Sequence, residues 1–331
     1  MKLPSPRGPM SGFIIEHLGK SPHPIPAGPS IDEDPLVGDD FHLALYICYE
    51  NHYRGFEEVD AAWEWDPSLI AFRSRLEQGF DDALRERVPL RTDIADVPSL
   101  LLEISKSDEG PSLAHFVETE ATVANVEEFL MHRSVYHLKE ADPHSWAIPR
   151  LSGRPKAALV EIQMDEYGSG IEERMHSSLF RDSLEAMGLD STYGAYVDRA
   201  PGVTLASMNL MSFFGLHRSR RGACMGHLAL FEMTSSEPNR RYGRGLRRLG
   251  YGTQATRFFD EHVEADSIHE MIAAHDLAGT LADESDEVAA DILFGADALN
   301  LLDREFAAHL ISCWSQGKSS MYEQHPVIAS T

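Results

Sequence analysis

From residue 121 onward, apolar positions recur at three- and four-residue spacing in nearly every segment, and the strict alternation of a half-buried strand is absent. The spacing predicts helices over roughly 121–140, 155–167, 171–187, 192–198, 203–233, 239–248, 253–281 and 286–314. Breakers separate them at Pro143, Pro149, Gly153, Gly168, Gly170, Gly188, Pro201 and Pro238. Upstream, "DDFHLALYICYENHYRGFEEVD" opens on an aspartate cap and keeps helical spacing, and helical patterns continue from Pro67 to about Arg87 and from Pro98 to about Ser107. Residues 1–40 carry Pro, Gly and Ser at linker density. The expected organisation is a flexible arm (1–40), a helical auxiliary or dimerisation region (41–120), an all-α bundle (121–315) and a tail (316–331).

Composition narrows the partners. The 331 residues are 43% hydrophobic, enough for a substantial core, and the formal net charge of −24 argues against nucleic acid or an anionic membrane as a main partner. Cys48, Cys224 and Cys313 are scattered, odd in number and form no CxxC, which fits a reducing interior. The first thirty residues lack a signal-peptide apolar run, and no stretch approaches the ~18 apolar residues of a membrane span. A soluble cytoplasmic protein is the expectation.

The stretch "FFDEHVEADSIHE", residues 258–270, holds two histidines and five carboxylates. With about 100° per residue, His262, Asp266 and His269 at i, i+4 and i+7 fall within about 60° of one another. Ala265, Ile272 and Ala273 flank that stripe, as on an inward-looking face. One reading is a metal-binding face; the other is a solvated charge run.

A metal site in a helical bundle draws its ligands from facing helices. "VYHLKEADPHSWAIPR" offers Glu140 at a helix end stopped by Pro143, where a carboxylate opposes the helix dipole and a cation would compensate it. "ALVEIQMDEYGSGIEERMHSSLF" offers Glu161, Asp165, Glu166, Glu173 and His176. A ferritin-like reading pairs Glu173 with His176 as E-x-x-H and matches it to Asp266-x-x-His269. The alternative pairs Glu166 with His176, about 15 Å apart on a straight helix. Gly168 and Gly170 lie between them and could break the helix so that the two converge. On spacing alone the two stay close.

The runs "YHLKEADPHSWAIPRLSG", "ALVEIQMDEYGSG…ERMH", "NLMSFFGLHR…GHLALFEMTSS" and "EHVEADSIHE" together resemble the heme-oxygenase-like diiron oxidases and oxygenases over about 120–315. The chain is most similar to the branch holding the central N-oxygenase domain of N-nitrosourea-forming enzymes, and the H-x3-D-x2-H element is the most specific part. The resemblance implies a heme-oxygenase-like helical bundle. It also implies two Fe(II) ions held by Glu140, Glu166, His176, His262, Asp266 and His269, with Glu166 bridging. In many relatives the first core helix supplies a Glu and a His seven apart; here Leu130 lies seven before His137 and Ala147 seven after Glu140. That departure bears on how the ligands divide between the two metals. The implied chemistry uses O2 as co-substrate and an external electron donor. It is N-oxygenation of an amine or guanidine on a small amino-acid-like metabolite, or oxidative C–C cleavage or desaturation. A homodimer is expected.

The remaining constellations are less specific. His132, His137 and His144 surround Glu140 and are expected in supporting or surface roles. Arginines cluster in "LHRSRR" and "EPNRRYGRGLRR", where salt-bridging to the many carboxylates competes with bidentate recognition of a substrate carboxylate. No GxGxxG, P-loop or G-x-S-x-G is present, which removes support for nucleotide-cofactor and serine-hydrolase classes. Heme would leave three inward carboxylates unexplained. A metal-binding bundle without turnover, or a purely structural bundle with an acidic face, completes the alternatives.

Overall fold

The computed structural model describes residues 1–88, 91, 94–107 and 110–323, and for 264–268 the backbone alone. Among the described residues there is no strand. In chain order the helices are α1 (Pro9–Leu18), α2 (Asp39–Glu50), α3 (Pro67–Arg87), α4 (Val97–Lys106), α5 (Leu113–Thr119), α6 (Val123–His137), the short α7 (Asp142–Ser145), α8 (Gly153–Glu166) and α9 (His176–Ala186). Then follow α10 (Gly202–Leu216), α11 (Arg221–Arg248), α12 (Thr253–Met271), α13 (Thr280–Ala282) and α14 (Asp286–Ser315). Caps set many of the starts: Asp66 accepts from Ser68 and Leu69 amides, Thr122 and Asn125 form a reciprocal capping box, and Ser285 accepts from Val288.

The long helices α11, α12 and α14 form the centre, with α11 packed along both of the others. The approach of α11 to α14 is backbone on backbone. A Cβ on Gly226 would overlap the Ile292 carbonyl, and one on Gly295 the Ala223 carbonyl. Around this centre α9 packs on α12, α5 on α11, and α8 on the π-helical segment Ile272–Gly279 that continues α12. One apolar cluster joins α1–α4 to α10, α11 and α14; a second lies among α5, α6, α9, α12 and the end of α14.

Several boundaries differ from those read off the spacing. The stretch expected to run as one helix from 203 to 233 is broken at His217, whose φ/ψ of −102°/115° is extended. There the Arg150 guanidinium donates to the Gly215 carbonyl and, at 2.9 Å, to that of Leu216, serving the last acceptors of α10. Pro238 was expected to end a helix, yet it lies inside α11. It withholds one amide from the Thr234 carbonyl, and packing along the rest of α11 outweighs that loss. Residues 192–198 hold no full helix, only the start of a 3-10 turn at Val197–Arg199. Within 1–40, α1 buries Met10, Ile14 and Leu18, and Asp40 accepts from the Met10 and Ser11 amides at 2.7 and 2.8 Å. Every residue of α2 from Asp40 to Glu50 is buried.

Candidate metal centre

Glu140 follows the last turn of α6, and Glu166 is the last residue of α8. Both are buried carboxylates at the negative end of a helix, disfavoured by desolvation and by the dipole unless a cation is near. After Glu166 the chain reverses through Gly168, Ser169 and Gly170, all at positive φ (60°, 53° and 80°), and α9 then begins at His176. This turn brings His176 Nδ1 to 3.0 Å from Glu166 Oε2. From α12, His262 turns its Nε2 to 3.7 Å from Glu140 Oε1 and lies 4.3 Å, ring to ring, from His176. Glu140, His176 and His262 each offer a ligand atom, and these atoms lie within 4.8 Å of one another.

A second group lies farther along the same face of α12. His269 Nε2 is 2.9 Å from Asp165 Oδ2, and its Nδ1 is 3.4 Å from Glu232 Oε2 of α11. Neighbours fix how the imidazoles point. His262 Nδ1 lies 2.8 Å from the Phe258 carbonyl, so it donates there and leaves Nε2 as a lone pair for the centre. Asp165 does the same for His269, leaving Nδ1 toward Glu232. His137 Nδ1, 2.9 Å from Glu140 Oε1, steadies that carboxylate.

Among the described residues, buried Glu140 Oε2, Glu166 Oε2, His176 Nδ1 and His269 Nδ1 have no hydrogen-bond partner. Glu166 Oε2 and His176 Nδ1 are close but not aligned to bond each other. Such buried, unpartnered ligand atoms would be costly in the absence of a cation, and imidazole with carboxylate suits iron. The residues therefore fit a metal centre.

Electrostatics agree. Burial pushes the Glu140 carboxyl up, but the His137 and His262 imidazoles outweigh it and hold it well below the usual range. Burial would lower His176, but Glu166 reverses this and raises it. His269 is pulled up to about 9 because Glu232, then Asp165 and Glu166, outweigh its burial. Excess negative charge thus collects protons on ligand-type imidazoles, which a divalent cation would displace. Glu166 acts on both His176 and His269.

Of the residues expected from sequence, Glu140, Glu166, His176 and His262 come together, and His269 stands with Glu232. The side chain of Asp266 lies outside the described residues. Glu173 is exposed on the 3-10 turn Glu172–Arg174, away from this interior, so its E-x-x-H spacing to His176 gathers no pair of ligands. His132, His137 and His144 are all buried, which leaves none in a surface role. The arginine clusters are largely committed to ion pairs. Arg220 pairs with Asp81, Arg221 with Glu284, Arg240 and Arg241 with Glu237, Arg244 with Glu118 and Arg247 with Asp260. One contributor was missed, Glu232, a lone carboxylate in the apolar run "LALFEM", and Asp165, offered among the candidate carboxylates, was not read as the orienting partner of His269. Glu232 left a signal, since a charge amid apolar helix positions asks for a partner.

A model of the family described as iron-containing redox enzymes, within the haem-oxygenase-like group, matches residues 127–303. The chain is also similar to a nitrosourea synthase of Streptomyces achromogenes subsp. streptozoticus, 24% identical over 193 residues. That match covers 57% of this chain and 41% of the relative, so the chain spans about two fifths of the relative's length.

Proposed function

The chain belongs to the iron-containing redox enzyme family, and from that premise we propose that it is a diiron oxygenase that transfers oxygen from O2 to a nitrogen of a small amine or guanidine. An oxidoreductase using iron is what the family supports; two irons and nitrogen as the target are our reading. The observation that carries it is that Glu140, Glu166, His176 and His269 bring buried ligand atoms without a hydrogen-bond partner among the described residues to two neighbouring places beside α12. Glu140, His176 and His262 would hold one ion, and His269, Glu232 and Asp266 the other, with Glu166 shared. The nitrosourea synthase similarity supports nitrogen as the target.

When bound, reduced iron supplies the electrons and open positions that O2 activation needs. The protein's own residues do the rest. Phe258 and Asp165 lock the imidazole orientations, and His137 holds one oxygen of Glu140. Phe180 and Phe258 pack beside His137, and Phe258 also flanks His176 and His262, which gives the centre an apolar wall. Conversion of N–H to N–OH uses one O2, two protons and two electrons, with water as the second product. An external donor must supply the electrons. Among the described residues no helix is long and apolar enough to cross a membrane.

Anaerobic reconstitution with Fe(II) tests the site. About two irons per chain are expected, falling to about one in His262→Ala or His269→Ala. A wild-type chain that retains no iron by elemental analysis sinks the reading. Amine-dependent O2 uptake, with the hydroxylated nitrogen identified by mass spectrometry, tests the reaction.

A further inference from the structure

A small cavity of about 30 Å3 borders the metal centre, with room for about one or two waters and too little for an organic side chain. Its lining runs from exposed Arg54, in the turn after α2, to buried Glu140, Glu166 and His176. The Arg54 guanidinium lies 4.2 Å over the Tyr193 ring and donates to the Leu138 carbonyl at 3.4 Å, two contacts that fix its direction. Among the described residues that guanidinium makes no ion pair. Lys139, which lines the same cavity, is by contrast committed to Glu50 at 2.6 Å.

The start of α9 supplies a second positive end. The helix runs for 11 residues from His176, and no side chain caps it. The Met175 carbonyl accepts from the Ser178 and Leu179 amides, while those of His176 and Ser177 have no acceptor among the described residues. Met175, His176 and Ser177 all line the cavity. Unserved amides at a helix N-terminus favour negative charge. Buried Glu166 Oε2 and His176 Nδ1, without hydrogen-bond partners among the described residues, belong to the same lining. The carboxylates that would repel an anion are accounted for. Asp142 accepts from the Tyr167 hydroxyl at 2.8 Å, and bound cations would neutralise Glu140 and Glu166.

We propose that this cavity is a binding site for a small monovalent anion of up to three atoms, which enters past Arg54 and is held between its guanidinium and the first amides of α9, beside the metal centre. The site passes small anions to the centre and turns away organic molecules by size. Arg54 comes from outside the helices that carry the metal ligands, so the chain after α2 takes part in the centre. The assignment rests on the metal centre of the proposed function and not on nitrogen as the target of oxidation.

The test adds sodium azide, with nitric oxide as a small neutral counterpart, to the Fe(II)-loaded full chain under nitrogen. Calorimetry reads azide and absorbance reads nitric oxide. Wild type should bind azide when iron is present and fail to bind it when iron is removed. Arg54→Gln should weaken azide about tenfold, the size of one charge-assisted contact, and leave nitric oxide unchanged. Arg54→Lys should keep most of the affinity. Arg241→Gln removes the same charge from α11, where Arg241 pairs with Glu118 and Glu237, and should keep all of it. The assignment is overturned by any of four results: no azide binding by the loaded wild type, azide binding that persists without iron, unchanged azide affinity in Arg54→Gln, or an equal loss in Arg241→Gln. Equal loss of azide and nitric oxide in Arg54→Gln overturns it too. A wild-type measurement decides even if Arg54→Gln loses iron. Raising the ionic strength with sodium sulfate should weaken azide, because a local cation is screened. Azide that binds more tightly with salt would mean that the net charge of −24 governs the approach, and would remove Arg54 from the site. Oxygen uptake is recorded separately. Azide binding without amine-dependent O2 uptake keeps the anion site and removes the oxygenase reading, and O2 uptake without azide binding does the reverse.

Discussion

Glu140 and Glu166 each place a buried carboxylate at the carboxyl end of a helix, where both dipole and desolvation oppose the charge. A shared cation is the economical resolution, and it makes the two sites unequal to any exposed glutamate nearby. Glu166→Ala should therefore lower iron from about two per chain to one or none. The same change also removes the charge that raises His176, so its effect on the metal-free fold is measured apart from its effect on iron. Glu173→Ala, on an exposed turn, should leave iron content unchanged. Elemental analysis at matched circular dichroism decides, and a metal-replete Glu166→Ala beside a metal-free Glu173→Ala would overturn the ligand set. At this scale the α12 stripe was readable because period alone puts His262 and His269 on one face. The choice between Glu166 and Glu173 was not readable, because spacing is blind to a chain reversal. The orienting role of Asp165 was hidden for a related reason: its partner His269 is 104 residues away, and no local pattern encodes that contact.

At the scale of elements, the reversal between α8 and α9 carries the site. Gly168 has φ +60°, and a Cβ there would lie 2.6 Å from Arg174 C and Met175 N. Gly170 has φ +80° but open space around it. The two glycines thus separate backbone strain from steric overlap. Gly170→Ala should cost about 1 kcal/mol of stability, the price of a left-handed alanine, and keep its iron. Gly168→Ala adds an overlap that the backbone can relieve only by opening the turn, so it should lose iron as Glu166 and His176 part. Urea midpoints and iron content measured on both variants check this, and equal iron in the two would remove the turn from the site's design. The glycines announced a break in the sequence. What the sequence hid was its extent, since the periodic run from 171 looked helical and the helix starts only at His176. Pro238 misled in the other direction, since a proline's local cost was weighed without the packing on both sides of α11.

Across the whole molecule, buried neutral imidazoles sit where elements meet. His42 of α2 lies against Asn209 of α10 at 3.1 Å. His132 of α6 bonds Thr204 of α10 at 2.7 Å and Ser320 at 3.0 Å, and His144 faces His227 at 3.2 Å. The segment after 315 is drawn into this network through Ser320, and α1 is tied to α2 through Asp40. The unbroken burial of α2 was in principle legible, because a helix apolar on nearly all sides belongs in an interior. Linker-like composition in 1–40 told nothing of what α1 packs on. The imidazoles also set the pH response. Burial lowers His42 and His132 to about 3 and His144 to about 4, and it holds His227 well below its ordinary value. Unfolded histidine titrates near 6.5, so below that pH the unfolded chain binds more protons than the folded one, and stability falls as pH drops from about 6.5 toward 4. Each such histidine contributes about 1.4 kcal/mol per pH unit inside that window. His176 and His269, raised rather than lowered, act in the opposite sense: their stabilisation is complete below about 6.5 and is lost as pH rises, through about 9 for His269. They therefore add no slope between pH 6.5 and 5. In urea titrations of the metal-free chain across that interval, the unfolding free energy should drop steeply. In His132→Gln the slope should be shallower by about 1.4 kcal/mol per pH unit, whatever the variant's stability at pH 6.5. Loss of the Thr204 and Ser320 hydrogen bonds alone would shift both pH values equally, so an unchanged slope would show that His132 is not held neutral by its burial.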